Sequence, residues 1–482
     1  MPRPVRVVHL LDSVTVGGGA RSVLNLARAS ARLGPFAHEV VCLRPASPEG
    51  LRLAREAGVP VAGDVPLAEV AGRIAGADIV QVNYWNHPLL NRLLHMPLPP
   101  MRLVVWFHVA GDVAPQVAVP ELVRFADVAV ACSPYTSGLP AFAGLPAGRA
   151  AMIYPPADLV RAHGVRPRPH RTFNVGYIGT VDFVKMHPDF VGMSAGIDVP
   201  GLRVVVCGAP STSPETIDVL RARAAALGRL DAFEFRGYVE DIRPVLAELD
   251  VYGYPLCDAT YACSELNLQE VMYAGIPPVI FPYGGARSLV QHGQTGLVVR
   301  NAAEYRAAIE HLHRHPGERR RLGRNARRFA RGRLGARNAA LQMHRVYEDL
   351  LAGPKRPRTW PGEDGASGAR LFAEALGRHG EPFRTSLESG DEEEVLAAER
   401  RIGELAVTSQ MMRTAGYGSV RHYLRFAPDD AHLRLWAGLL LERDGQFEAA
   451  VRELSEAVRL GAGEPRVHGY LARAAAQLGK ET

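Results

Sequence analysis

The sequence predicts an α/β protein of two Rossmann-like domains, each a doubly wound parallel sheet, followed by an all-α domain. Three observations carry that prediction. From residue 5 to about 300, short β-branched runs alternate with Ala/Leu/Arg segments of helical period, the pattern of a parallel sheet covered by helices. Eleven such runs exceed what one doubly wound domain needs, and the Pro/Arg/His-rich stretch Arg161–Arg171 breaks their rhythm midway. After the Pro/Gly-rich stretch Ala352–Gly368, only helical patterning continues.

The runs are Val5–Leu11, His38–Leu43, Ile79–Asn83, Leu103–His108, Val128–Ser133, Phe173–Gly179, Leu202–Gly208, Phe233–Gly237, Val251–Tyr254, Pro278–Phe281 and Gly296–Val299. They divide into a first domain over 1–165 and a second over 166–335. A helical stretch, Asn301–Leu351, ends in a closing helix at 336–352. Residues 353–368 read as a linker without regular structure, because Pro and Gly hold a ladder poorly. The remainder, 369–482, is a helical domain. In it Ala437-Gly438, Leu441 and Gly445 recur 34 residues later as Leu471-Ala472, Ala475 and Gly479, with further small residues at Ala450 and Ala457. Small residues at that period, where helices pack closely, resemble tetratricopeptide repeats, and Phe426-Ala-Pro428 closes a poorer earlier copy. A nonspecific Ala/Leu-rich bundle is the plainer alternative.

Composition narrows the function classes. The 482 residues are 47% hydrophobic and 22% charged, enough apolar material for packed cores. The surplus of 56 Lys+Arg over 50 Asp+Glu gives +6, too thin over this length to demand a nucleic acid. Cys42, Cys132, Cys207, Cys257 and Cys263 form no C-x-x-C pair, so neither a zinc ribbon nor a disulfide framework is indicated, and a reduced cytoplasm is the expected location. The longest apolar stretches, such as Leu103–Phe107 and Val204–Cys207, have strand length, and the N-terminus shows no signal-peptide pattern. Nine arginines between Arg319 and Arg337 read as a solvated helix face, with peripheral contact to an anionic membrane face as the second reading. His311, His313 and His315 alternate, which does not bring three imidazoles to one helical face, so no metal site is expected. Asp391-Glu-Glu-Glu394 supplies acids suited to the first turn of a helix.

The chemistry-bearing residues lie at the predicted strand ends. Gly17, Gly18 and Gly19 fall between the first strand and the helix Ala20–Leu33, where glycines admit a ligand to the backbone and a helix N-terminus offers N–H groups to an anion; a structural tight turn is the alternative. In the second domain Gly176-Tyr-Ile-Gly179 ends a strand and Lys185 follows six residues later, placed to reach a phosphate over the strand's carboxyl end. Further on, Ser264-Glu-Leu-Asn-Leu-Gln-Glu270 enters a helix ended by Gly275, and a strand starts at Pro278. This sets Glu270 beside the same crevice. A carboxylate suits a ribose diol and a lysine suits a pyrophosphate.

Glu270-Val-Met-Tyr-Ala-Gly-Ile-Pro-Pro-Val-Ile resembles the E-A-M-A-x-G-x-P-V-I motif of retaining GT-B glycosyltransferases, most closely glycosyltransferase family 4. Flanking pieces match in order: Ile153-Tyr-Pro-Pro-Ala-Asp158, Gly176-Tyr-Ile-Gly-Thr-x5-Met186, Val205-Val-Cys-Gly208, Phe235-Arg-Gly-Tyr-Val239, Tyr283-Gly-Gly285 and His292-Gly-Gln-Thr-Gly-Leu-Val-Val299. The resemblance spans about residues 5–350 and is specific over 173–300.

It implies a GT-B fold with an acceptor-side first domain and a second domain holding a nucleotide-sugar. It also implies retention at the anomeric carbon, with no metal or cofactor beyond a UDP- or GDP-sugar donor. Donor contacts would come from Gly17, Gly18, Gly19, Gly179, Thr180, Lys185, Leu266 and Glu270, with Glu270 on the ribose and Lys185 on the phosphates. His108, Lys185 and Glu265 would serve the reacting sugar. Three positions depart from the family pattern: Ala262 stands where a first glutamate is usual, Thr180 replaces the phosphate-loop arginine, and Ser288 replaces an acid. The acceptor, whether glycan, lipid-linked, small molecule or peptide, is left open, and the tail is expected to bind a protein partner. A catalytically degenerate GT-B scaffold is the alternative reading, and a sugar-nucleotide epimerase a third.

Overall fold

The computed structural model describes residues 3–210, 214–361 and 365–481. All eleven predicted runs contain strands, and these form two all-parallel sheets. The first has seven strands in the order Ala150–Met152, Val128–Ala131, Leu103–Phe107, Ile79–Tyr84, Val5–Leu11, Phe36–Cys42 and Val61–Ala62. The second has six, in the order Phe233–Gly237, Leu202–Cys207, Phe173–Ile178, Val251–Tyr254, Pro278–Ile280 and Leu297–Val298. Central strands are apolar on both faces because helices cover both sides. Val204, Val205 and Val206 are all within 1% of full burial. The sequence pattern missed Val61–Ala62 and Ala150–Met152, edge pieces too short to show a period.

In each sheet the strand order reverses at a central strand, beside Val5–Leu11 in the first and Phe173–Ile178 in the second. Crevices outside the carboxyl ends of strands at such reversals are where doubly wound sheets take ligands. The loops leaving these two strands face each other, so the two crevices merge into one cleft.

The helix Ala336–Leu351 returns to the first domain, where Ala339, Ala340, Met343 and Tyr347 share a core with Val7, Leu26, Phe36 and Trp106. Tyr347 Oη donates to buried Gln81 Oε1 at 2.5 Å, and Ser30 Oγ and His344 Nε2 lie 2.8 Å apart.

The expected linker is corrected by the structure. Arg356–Arg358 is a strand antiparallel to Leu98–Met101 on the first domain. Arg358 pairs with Asp127, while Trp360 packs 5.1 Å from Phe125 and 4.6 Å from His95. Proline and glycine content suggested an unstructured connection, yet a two-stranded edge tolerates Pro357 between two paired residues, and the arginines find a buried acid. Residues 362–364 of this stretch lie outside the described residues.

The tail is helical throughout its regular structure. Ala431–Arg443 and Phe447–Arg459 pack together across a turn at Gly445, whose φ of +76° favours glycine. Gly438 allows their approach, since a Cβ there would sit 2.6 Å from Leu454 Cγ. Asp391 caps the helix Glu392–Thr408 by accepting from the N–H groups of Glu393 and Glu394. On the helix Ala302–Arg314, His313 packs against Phe173, whereas His311 stacks on His315 and bonds Glu318 at 2.8 Å. No helix among the described residues is long and apolar enough to cross a membrane.

Candidate active site

Both domains and the helical tail enclose a cleft of about 550 Å³. All ten residues singled out from the sequence line it: Gly17, Gly18, Gly19, His108, Gly179, Thr180, Lys185, Glu265, Leu266 and Glu270.

The first wall is the glycine loop and the helix Gly18–Leu33, whose N-cap, Gly17, has no side chain to occupy the first N–H groups. Close approach explains one of the glycines, Gly19. A Cβ on Gly19 would lie 2.8 Å from Trp85 Nε1, whereas Gly18 faces Leu266 of the opposite domain at ordinary contact distance. Across the cleft, the helix Leu266–Ala274 starts after Glu265, which makes no side-chain cap bond to it. Two helix N-termini without side-chain caps therefore meet over one space, and their partial positive charges favour an anion there.

Charged side chains surround that space. Lys185 Nζ donates to Glu265 Oε2 at 2.9 Å and sits 5.0 Å from the Tyr261 ring centre. Tyr254 Oη donates to the same carboxylate oxygen at 2.8 Å. Burial opposes the Lys185 charge, but Glu265 and Tyr261 outweigh it and hold the ammonium above its ordinary range. Glu270 accepts from Arg161 Nη1 at 3.0 Å, with Arg21 3.9 Å away. Burial raises the Glu270 carboxyl and the two guanidinium groups oppose that shift.

His108 follows the strand Leu103–Phe107, its ring tilted against that of Trp106 with centres 4.6 Å apart. Burial pushes its pKa down to about 3, so the ring is neutral near pH 7. Its Nε2 lies 3.2 Å from Asn83 Oδ1, an acceptor, which makes Nε2 the protonated nitrogen.

The departures from the expected pattern also find places. Ala262 is fully buried beneath the glycine pair, its carbonyl accepting from Gly285 N at 2.8 Å, so it is Glu265, three residues on, that brings a carboxylate from this segment to the cleft. Thr180 contributes backbone, its carbonyl accepting from Tyr177 Oη at 2.7 Å. The guanidinium groups in the cleft are Arg21 and Arg161, which the sequence reading did not single out. Arg21 follows the glycine triplet directly and could have been read as its partner; Arg161 was hidden in the stretch read only as a domain break. Asp12, Trp85 and Tyr261 also line the cleft, as does Tyr417 of the tail, for which no sequence signal exists.

A family model described as Glycosyl transferases group 1 matches residues 172–315. No curated protein sequence matches the chain. Among solved structures, Anabaena Alr3699/HepE in complex with UDP-glucose is 19% identical with a TM-score of 0.59, over 72% of this chain and 100% of that one. A glycosyltransferase from Rickettsia africae is 12% identical with a TM-score of 0.61, over 72% and 99%. Sucrose-phosphate synthase from Thermosynechococcus elongatus is 19% identical with a TM-score of 0.58, over 72% and 99%. The likeness shows the GT-B fold, two Rossmann-like domains about a cleft, and the helical tail extends it.

Proposed function

We propose that the protein is a retaining glycosyltransferase that moves a sugar, read as a hexose, from a nucleoside-diphosphate donor to a hydroxylated acceptor. The observation that carries this reading is the meeting of two helix N-termini with Lys185, Arg21 and Arg161 over one cleft, an environment built for a diphosphate. The matched family model covers the domain that supplies Lys185, Glu265 and Glu270, and the Anabaena neighbour holds UDP-glucose. These support a UDP-sugar as donor over a GDP-sugar.

In this reading Glu270 exchanges Arg161 for the ribose hydroxyls, and Lys185 and Arg21 take up the diphosphate. The bond between C1 and the phosphate oxygen breaks, its electron pair leaving on the diphosphate. A bond forms from the acceptor oxygen to C1, and the acceptor proton passes to a diphosphate oxygen. Cationic side chains and backbone N–H groups lie where the negative charge grows, so they stabilise the transition state more than the ground state. Glu265, held from two sides by Lys185 and Tyr254, orients the lysine and the sugar, and neutral His108 lines the sugar end. The three cations do the charge neutralisation that a divalent metal would otherwise do. In this reading the protein works in the cytoplasm, with peripheral contact to the inner membrane face as the second reading, and fractionation tests both. The tetratricopeptide reading of the tail also belongs to this proposal.

Release of nucleotide from UDP- and GDP-sugars, with EDTA or magnesium, tests the activity. The anomeric configuration of the product, read by NMR, tests retention. Inversion would remove the retaining assignment, and absence of turnover across donors would favour a scaffold.

A further inference from the structure

The tail is docked rather than tethered, and part of it enters the cleft. Tyr423 Oη, fully buried, lies 2.6 Å from Asn86 Oδ1 and 2.6 Å from Asn91 Nδ2 of the first domain. His87 meets His422 and Phe426 edge-on, with ring centres 4.8 and 5.1 Å away. Gly418, at φ +82°, permits the closest approach, because a Cβ there would lie 2.9 Å from Gln116 Nε2. These anchors fix the segment between the helices Gln410–Arg413 and Val420–Leu424 against the carboxyl end of the first sheet.

From that anchorage Met411, Thr414, Gly416 and Tyr417 form part of the cleft wall. Tyr417 Oη lies 3.2 Å from Asp12 Oδ2, and Gln116 Nε2 donates to the Tyr417 carbonyl at 2.8 Å. Arg44 Nη1 stands 3.9 Å from Asp12 Oδ2 and offsets its charge. The wall thus carries a carboxylate and a phenol, and the same cleft is lined by Trp85 and Tyr261, whose ring centres lie 5.4 Å apart. Hydrogen-bonding groups beside aromatic faces suit a ring that carries hydroxyls on its rim and C–H groups on its face.

Building on the glycosyltransferase reading, we propose that the tail segment around Tyr417 completes the acceptor subsite with Asp12, and that the acceptor it selects is a saccharide.

The test measures UDP binding first, then transfer from UDP-glucose, UDP-galactose and UDP-N-acetylglucosamine to p-nitrophenyl glucoside, galactoside and mannoside. Two variants are compared with the full chain. Y417F removes one hydroxyl from a 43% exposed side chain, and T414R adds bulk at a cleft-lining position while keeping Gly418, His422 and Tyr423. The expected result is transfer to at least one glycoside, with its KM raised five- to tenfold in Y417F and more in T414R, kcat falling less than twofold in Y417F, and UDP affinity held. Unchanged KM in both variants would overturn the role of the tail. Hydrolysis of a bound UDP-sugar with no glycoside accepted would overturn the saccharide. Failure to bind any UDP species would instead remove the glycosyltransferase reading on which the proposal rests, and the proposal with it.

Discussion

Lys185 Nζ and Glu265 Oε2, from the loops that follow two neighbouring strands of the second sheet, form a 2.9 Å ion pair in which both side chains are largely buried, at 14% and 8% exposure. A buried pair of this kind fixes each partner's rotamer and leaves an uncompensated charge when one is removed. It holds one of the three cations of the cleft against the residue that precedes the Leu266 helix.

Lys185→Ala is expected to lower transfer by about 10²–10³-fold, the scale of losing one preorganised charge partner of a transition-state anion. Nucleotide release measures it. Glu265→Gln, which keeps a hydrogen-bond acceptor for Lys185, is expected to lose less.

Glu270→Gln is expected to weaken UDP binding about 10- to 100-fold, the worth of a charge-assisted hydrogen bond pair of about 1.5–3 kcal/mol. The same change frees Arg161 and Arg21, so inorganic pyrophosphate is expected to bind at least as well as before. Arg21→Ala reverses the pattern and weakens both. Calorimetric titration of the two ligands separates a ribose contact from a general collapse of the site.

Stability is expected to fall on acidification below pH 6.5. Burial holds His38 at about 4, His87 at about 2, His108 at about 3 and His422 at about 4, and lowers His9 well below its ordinary value. Between those values and 6.5 the unfolded chain binds more protons than the folded one, so unfolding gains as pH drops. Each histidine removes up to about 1.4 kcal/mol by pH 5.5. Asp12 and Glu270, both raised by burial, act in the opposite sense, since the folded state holds their protons more tightly as pH rises through the carboxylate range. His187, His344 and His379 are lowered by burial as well, so eight histidines against two carboxylates give the histidines the decision. A Tm independent of pH from 7.5 to 5.5 would contradict this.

Arg358→Ala is expected to destabilise the chain by about 3 kcal/mol, because Asp127 stays buried at 10% exposure without its cation. Arg356→Ala, 61% exposed and 3.9 Å from Asp127, is expected to cost under about 1 kcal/mol. Urea midpoints of the two variants compare them.

What the sequence disclosed follows from how local each signal is. Parallel strands buried on both faces are continuous apolar runs, so all eleven were legible, and the Glu270 helix with its Gly275 terminator, at φ +85°, carries its own punctuation. Arg21, Arg161 and Tyr417 were not legible, because each is an ordinary polar residue made functional only by what the fold sets opposite it. The strap at Arg356–Arg358 was misread for a similar reason: its stability lies in Asp127 and the edge Leu98–Met101, more than 200 residues away in sequence. Tyr417 is the extreme case, 405 residues from its partner Asp12.

The most direct test of a nucleotide-sugar site in this cleft is thermal stabilisation of the purified chain by UDP, GDP, ADP and dTDP, with and without magnesium. The account predicts a rise in Tm with UDP that needs no magnesium and is largely lost in Glu270→Ala. No stabilisation by any of the four, or an equal rise in Glu270→Ala, would contradict it.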